Sequence, residues 1–206
     1  MDRTTRRLLE PPLARTARIL DRPWLHPNHL TAMGLVVGLS VAVAAGLQSW
    51  QVALVLWLLS RLADGLDGAL ARHRAAAGAP MSGAGGFLDI TADFVVYGST
   101  VLGVAFGVSR GFDAPLWPFL LVLFAYYVKG SSLLAFSSIA EKAGRPLVDG
   151  RSLSFPLGFA GATETILVHS LWLLFPAHAW SLAIVWAAVV LADAARQIVS
   201  GYRLLS

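Results

Sequence analysis

Residues 64–93 read DGLDGALARHRAAAGAPMSGAGGFLDITAD and place four aspartates at the ends of two apolar segments. Asp64 and Asp67 are spaced i,i+3, while Asp89 and Asp93 are spaced i,i+4, so each pair projects from one face of a helix. A carboxylate near hydrocarbon is costly unless it is paired, hydrated or bound to a metal. Hard divalent cations prefer oxygen ligands. The two aspartate pairs therefore predict a site for chemistry rather than for packing.

The composition places the chain in the membrane class. Of its 206 residues, 56% are hydrophobic and only 14% are charged, with a mean hydropathy of +0.65, whereas a soluble domain has about 25% charged residues. There is no cysteine, which excludes a disulfide framework, a thiolate nucleophile and a cysteine metal site. The sequence pI is about 10.0. Because the basic residues lie mostly in short loops and termini, this charge indicates attraction to a membrane surface rather than binding to nucleic acid.

A membrane-spanning helix needs about 20 mostly apolar residues, and six stretches of the sequence reach or nearly reach this length. They are residues 28–47, 51–71, 87–108, 114–139, 155–175 and 179–199. The predicted fold is all-α, an integral membrane bundle of six transmembrane helices. A single domain is expected over residues 1–206, with residues 1–26 as a juxtamembrane segment and residues 27–206 as the bundle. Gly85 and Gly86 are expected to free the chain just before the third span.

The positive charges predict how the bundle is oriented. Thirteen of the 16 Lys and Arg residues fall in the N-terminal segment, in the loops after the second and fourth spans, and at the C-terminal end. Both termini are therefore expected in the cytoplasm, with the protein in the inner cell membrane as a multi-pass protein. The aspartates flank the loop after the second span, so the site is expected to open to cytosolic solutes.

Ahead of the first span, apolar and basic residues recur at helical spacing. The apolar residues are Leu13, Ala17, Leu20 and Trp24, and the basic residues are Arg15, Arg18 and Arg22. This pattern favours an amphipathic helix on the anionic inner leaflet. An unstructured basic tail is the alternative, because prolines interrupt the segment.

The aspartate pairs belong to a longer pattern that resembles the signature of the CDP-alcohol phosphatidyltransferase family. The signature is Asp-x-x-Asp-Gly-x-x-Ala-Arg followed by Gly-x-x-x-Asp-x-x-x-Asp. Its eight positions are matched in order by Asp64, Asp67, Gly68, Ala71, Arg72, Gly85, Asp89 and Asp93. Twelve residues separate Arg72 from Gly85, which is more than the family usually has, so the contacts of this loop stay open.

The resemblance implies a role for each matched residue. The metal ligands would be Asp64, Asp67, Asp89 and Asp93, around two Mg²⁺ or Mn²⁺ ions. Asp93 would also act as the general base. The CDP-lipid would lie against Gly68, Ala71, Arg72, Ser82 and Gly85, with Gly68, Arg72 and Ser82 on its pyrophosphate. The cytidine end would contact Asn28, His29, Leu30 and Thr31, which open the first span, although Asn28 fits a helix N-cap equally well.

Other polar residues in or near the spans are candidates for binding the acceptor. They are Lys129, Arg145, Arg151 and Glu164. Each has a plainer alternative: Lys129 as a buried ion-pair partner, the loop arginines as orientation signals, and Glu164 as a helix-packing contact. Arg61 and Lys129 are also the residues that would neutralise the aspartates if those acids were purely structural.

The resemblance implies a reaction in phospholipid biosynthesis. A phosphatidyl group would pass from CDP-diacylglycerol to a hydroxyl of a small polar alcohol or polyol phosphate, with release of CMP. Acceptors of the glycerol 3-phosphate or inositol phosphate type would suit a basic pocket, while serine and free inositol stay open. The alternative within the family is transfer from CDP-choline or CDP-ethanolamine to diacylglycerol. The resemblance also implies a homodimer in contact with membrane lipids.

A cation or proton transporter is the alternative from a different class. It predicts polar residues that continue to the outer face, whereas the third span turns apolar after residues 97–100. The Gly34-x-x-x-Gly38 and Gly103-x-x-x-Gly107 pairs permit close helix contacts, within the bundle or across a dimer.

Overall fold

The structure, a computed structural model, describes residues 3–79, 83–143 and 160–206, and this part of the chain is helical without a β-strand. The helices are α1 (Arg3–Leu20), α2 (Pro27–Gly46), α3 (Trp50–Ala76), α4 (Gly83–Phe112), α5 (Trp117–Lys142), α6 (Ala162–Leu174) and α7 (Ala179–Leu205), with a 3₁₀ turn (Pro176–His178) before α7. Helix α2 packs against α3 and α4, α5 packs against α7, and α1 and α6 lie on α3. The prediction of an all-α protein is confirmed.

Four segments are long and apolar enough to cross a membrane, which makes the chain a membrane protein. They are Pro27–Gly46, Gly83–Phe112, Trp117–Lys142 and Pro176–Leu205. Helix α3 has 27 residues but carries charged side chains through its second half, from Arg61 to Arg74. The described part of α6 has 13 residues, and the span predicted from residue 155 begins outside the described residues. Length and apolarity therefore support four of the six predicted spans.

Two helices extend further than the hydropathy indicates. Helix α3 continues to Ala76 and α4 begins at Gly83, whereas the apolar runs end at residue 71 and begin at residue 87. The prediction that Gly85 and Gly86 free the chain before the third span is wrong, because both are helical. Hydropathy marks the stretch of a helix suited to hydrocarbon, while backbone hydrogen bonding continues into the polar flank. The end of the bundle at which α2 begins, α3 ends and α4 begins is called the aspartate end below.

Small residues let α2, α3 and α4 approach closely. A Cβ added at Gly103 or Gly107 of α4 would clash with the α2 backbone at Ala42 and Ala45. Gly38 of α2 is closed off in the same way by side chains of α3 and α4. The glycine pairs thus make contacts within the bundle, while the homodimer stays a prediction. Close packing of three helices fixes the relative positions of the side chains at the aspartate end.

Helix α1 covers one side of α3. Ala17 is fully buried in a small cluster with Leu30 of α2 and Leu70 of α3, and Leu13 packs against this cluster. The segment is thus helical, as the spacing predicts, but the helix ends at Leu20 and Trp24 lies beyond it, 72% exposed. Gly65 of α3 lies against Leu13, so its small size serves helix packing.

Arg74 fastens the connection between α1 and α2 to the end of α3. Its Nε donates to Asp21 Oδ1 at 2.8 Å, and its Nη2 donates to the carbonyls of Arg22 and Leu25, each at 2.9 Å. One guanidinium thereby satisfies three acceptors in the connecting segment. The start of α2 and the end of α3 are held together beside the aspartates.

Candidate active site

Helices α3 and α4 carry the four aspartates to one end of the bundle, where α2 lies against both. Asp67 is 4% exposed, and the other three carboxylates are half-buried. Thr31, in the second turn of α2, donates its hydroxyl to Asp67 Oδ2 at 2.6 Å. Thr31, Arg61, Asp64 and Asp67 line one cavity, which continues between α2 and α4. Asp64 and Asp67 therefore face an interior space rather than lipid.

Arg61 lies among these acids and is itself 8% exposed. Its Nη1 donates to Asp93 Oδ1 at 2.5 Å and lies 3.8 Å from Asp64 Oδ1. Its Nη2 donates to the Ser60 hydroxyl at 3.1 Å, and that hydroxyl donates to a carbonyl of α2. One guanidinium thus joins an acid of α3 to an acid of α4.

A layer of rings, the aromatic floor, underlies Arg61. It consists of Trp57, Tyr97, Tyr126, His169 and Trp172. The guanidinium carbon of Arg61 lies 5.2 Å from the centre of the Trp57 ring and 5.0 Å from that of Tyr97, which is cation–π distance. His169 stacks between Trp57 and Trp172 at centroid distances of 4.9 and 4.6 Å. The Tyr126 hydroxyl lies 3.0 Å from His169 Nε2 and accepts from Trp186. The floor closes the bundle one helical turn beyond Asp93.

The donor set suits a divalent cation in its chemistry, because carboxylate oxygens are the ligands that Mg²⁺ and Mn²⁺ prefer. As the side chains stand, no three acids or histidines of the described residues lie close enough together to hold one ion. Arg61 instead occupies the position between Asp64 and Asp93. The site therefore has the ligands for a cation and also an internal cation of its own.

The residues expected at the CDP-lipid lie around the same end. Gly68 and Arg72 are one turn apart, and a Cβ added at Gly68 would lie 3.0 Å from Arg72 Nη1. A Cβ added at Gly85 would lie 3.3 Å from Asn28 Oδ1, so the motif glycine of α4 meets the start of α2. Ala71 is half-buried, and Ser82 lies outside the described residues.

The first turn of α2 has a different N-cap from the one considered in the sequence, while its contacts with the CDP-lipid stay a prediction. Asn28 is not the N-cap, because α2 begins at Pro27 with His26 at the cap position. Leu30 is buried against α1 and α3. Asn28 and His29 are exposed, and His29 Nδ1 accepts the N–H of His26 at 3.4 Å.

Lys129, a candidate for the acceptor, lies in an ion-pair cluster on the α5–α7 side. Its Nζ donates to Asp193 Oδ2 at 2.9 Å and also to the Ala160 carbonyl. Asp193 is 1% exposed and accepts from Arg196 at 3.1 Å. The Phe94 ring lies against Gly130, so Lys129 is at the depth of Asp93 in the bundle.

The other acceptor candidates are Glu164, Arg145 and Arg151. Glu164 accepts the backbone N–H of Gly161 at 2.9 Å and so closes the first turn of its own helix, α6. This capping contact is local to α6 and differs from the helix-packing contact that was the plainer alternative for Glu164. Arg145 and Arg151 lie outside the described residues.

Two features of the site, Asp193 and the bond from Thr31 to Asp67, were not predicted from the sequence. Asp193 is an acid inside the last apolar segment, and the rule that singled out the first four aspartates applies to it equally. Its pairing with Arg196 at i,i+3 was also readable. The bond from Thr31 to Asp67 was not readable, because it joins residues 36 positions apart.

Comparison with known proteins gives the site a context. The sequence profile of CDP-alcohol phosphatidyltransferases matches residues 24–194. The inner membrane protein YnjF of Escherichia coli is 38% identical over 180 residues, covering 86% of this chain and 83% of YnjF. The archaetidylinositol phosphate synthase of Pyrococcus horikoshii is 32% identical over 146 residues, covering 66% of this chain and 73% of that enzyme.

Solved structures share the fold. The phosphatidylinositol phosphate synthase of Mycobacterium tuberculosis with CDP-DAG bound has a TM-score of 0.70 at 19% identity, covering 92% of this chain and 93% of that one. The same enzyme in complex with manganese and citrate also gives 0.70 at 19% identity, over 92% of this chain and 88% of that one.

Proposed function

The chain belongs to the CDP-alcohol phosphatidyltransferase family, and from that premise we propose that it transfers a phosphatidyl group from CDP-diacylglycerol to a polyol phosphate, with release of CMP. The observation that carries the proposal is the meeting of both halves of the motif at one end of the bundle, where Asp93 is bonded to Arg61 and Asp67 to Thr31. The solved phosphatidylinositol phosphate synthase that shares the fold has CDP-DAG bound, which favours CDP-diacylglycerol over CDP-choline or CDP-ethanolamine as the donor.

The proposal includes six transmembrane spans, with α1 at the membrane surface and the aspartate end in the cytoplasm. Helix α3 is more polar than the four apolar segments, but its 27 residues extend about 40 Å at the rise of an α-helix. Its leucines at 58, 59 and 62 are about half exposed, while Arg61 and Asp67 point inward. Such a helix is apolar toward lipid and polar only toward the bundle, which supports a spanning position. The distribution of basic residues supports the orientation.

In the proposed reaction, Asp93 accepts the proton of the acceptor hydroxyl. The freed oxygen attacks the β-phosphorus of the CDP-lipid, the bond from this phosphorus to the CMP oxygen breaks, and CMP leaves with the electron pair. Asp93 then returns the proton to water. Asp93 is suited to this work because its side chain is 32% exposed and held on one side by Arg61. No covalent enzyme intermediate is required.

Asp64, Asp67, Asp89 and Asp93 would hold the divalent cations. Bound cations would supply positive charge against the pyrophosphate of the donor and the CMP that leaves. Arg72, exposed at the end of the motif in α3, is placed to contact a donor phosphate. Gly68 and Gly85, without side chains, leave space for the donor beside α3 and α4.

A phosphorylated acceptor is favoured by the cations at the depth of Asp93. Lys129 and Arg196 both lie on Asp193, and Arg196 is 45% exposed. A phosphate can share these two donors, since guanidinium and ammonium groups bind phosphate oxygens by charge-assisted hydrogen bonds. Free inositol has no anionic group for these two donors to bind, and serine has no phosphate.

Transport of cations is disfavoured by the aromatic floor. Beyond Asp93 the interior is filled by Trp57, His169 and Trp172, each fully buried. A proton or cation path needs a continuing series of polar groups or water toward the other end. A packed layer of rings interrupts such a series, so the acids serve a site that opens at one end.

Thr31→Val is predicted to lower turnover by about 10–100-fold, the usual effect of removing a side chain that orients a metal ligand. Valine keeps the shape of threonine but cannot donate to Asp67. Thr31→Ser keeps the donor and is expected to retain most of the activity. The measurement is the rate of CMP release at varied Mn²⁺ concentration. Equal rates for the valine and serine variants would contradict this role for Thr31.

The proposed function is tested with purified protein, CDP-diacylglycerol, Mg²⁺ or Mn²⁺, and a panel of acceptors. We expect CMP release with glycerol 3-phosphate or an inositol phosphate, and little release with free inositol or serine. Chelation of the divalent cation is expected to stop the reaction, and its restoration to restart it. CMP release from CDP-choline with diacylglycerol, but not from CDP-diacylglycerol, would reject the proposed donor. Transfer that persists without divalent cations would reject the proposed site.

A further inference from the structure

Arg61 is the one basic side chain that the described residues place between aspartates of both motif helices. Its position does not depend on the aspartates alone. The Ser60 hydroxyl accepts from Nη2, and the rings of Trp57 and Tyr97 lie beneath the guanidinium. These neighbours come from the packed interior of the bundle, where Trp57 and Ser60 are fully buried. The positive charge is therefore built into the site.

We propose that Arg61 is an internal counter-ion that competes with divalent cations for Asp64 and Asp93, and so sets the affinity of the site for metal. This inference rests on the proposed function, because it takes the same aspartates as the ligands. Arg61 Nη1 bonds Asp93 and lies 3.8 Å from Asp64, which is where a cation shared by these two acids would be attracted. A guanidinium is always protonated, so its charge opposes an incoming cation at any working pH.

The competition would do two things for the enzyme. It holds neighbouring carboxylates together without a metal, since acids in a poorly solvated interior otherwise repel each other. It also holds Asp93 on one side through Oδ1, with a side chain that a cation must displace. Arg61 is thus a positioning residue that acts through Asp93.

Measurement of Mn²⁺ binding without substrates tests this inference directly. In Arg61→Met we expect the Kd for Mn²⁺ to fall by about tenfold, because a charge opposing the ion within a few ångströms has been removed. The thermal shift that Mn²⁺ causes should also be larger than in the wild type, since the stabilisation by a bound ligand rises with the logarithm of its concentration divided by its Kd. Turnover should fall, because Asp93 loses its partner.

Matched variants separate charge from structure. Arg61→Lys keeps the charge and is expected to bind Mn²⁺ as the wild type does. Arg110→Met removes an exposed arginine from the far end of α4 and is expected to change neither Mn²⁺ affinity nor turnover. Arg61→Gln keeps hydrogen-bond donors without the charge and is expected to lower the Kd for Mn²⁺ as Arg61→Met does. It provides the same test if Arg61→Met does not fold.

A purely structural Arg61 would lower the melting temperature without tightening Mn²⁺ binding. An unchanged or weaker Mn²⁺ affinity in the folded Arg61→Met or Arg61→Gln protein would overturn the inference and leave the proposed function standing. Wild-type protein that neither binds Mn²⁺ nor releases CMP would overturn both. Tightening in Arg61→Lys equal to that in Arg61→Met would also overturn it, because the charge is then not the cause.

Discussion

Asp93→Asn is expected to reduce CMP release by roughly 10²–10⁴-fold, the range that a positioned general base supplies. Asparagine has the shape of aspartate and can stay beside Arg61 and Tyr97, but it does not accept a proton from an acceptor hydroxyl. Binding of CDP-diacylglycerol is expected to stay within a few-fold of the wild type, because Arg72 and the motif glycines are unchanged. CMP release and donor binding are measured on the same preparation.

Asp113→Asn is the matched control for this substitution. Asp113 is exposed in the connection between α4 and α5 and has a positive φ of 49°, a conformation that asparagine adopts readily. We expect this variant to turn over like the wild type. Full turnover in Asp93→Asn would remove Asp93 from the role of base, and a parallel loss of donor binding would assign it to the donor site instead.

The sequence was sufficient to predict that Asp64, Asp67, Asp89 and Asp93 share one end of the bundle. Their helical spacing and their position beside a loop follow from local chemistry, which a single sequence contains. Arg61 was identifiable as a potential partner for the same reason, since it is three residues before Asp64. The bond from Arg61 to Asp93 could not be predicted, because the rotation of α4 against α3 depends on the packing of side chains such as Ser60 and Val96.

The acceptor side illustrates a different limit. Lys129 was ambiguous between a phosphate ligand and a buried ion-pair partner, and the structure gives it Asp193 as a partner. The distance along the chain, 64 residues, is beyond any local pattern. The ends of α3 and α4 differ from the ends of the apolar runs for a physical reason. His73 is polar and Gly83 is small, so both lie outside the apolar runs. Both are nevertheless helical, because the backbone hydrogen bonds of a helix do not depend on hydropathy.

Gly103→Ala is expected to destabilise the bundle by about 1–3 kcal/mol, the usual effect of overpacking a tight contact. The added Cβ would meet the carbonyl oxygen and Cα of Ala42, and backbone atoms cannot rotate away as a flexible side chain does. Gly98→Ala on the same helix is the matched control, because a Cβ there meets nothing within 4 Å. Thermal unfolding in one detergent compares the two. The separation of α4 from α2 should also weaken CMP release, because α4 carries Asp89 and Asp93. Equal melting temperatures for the two variants would mean that this helix contact does not hold the site together.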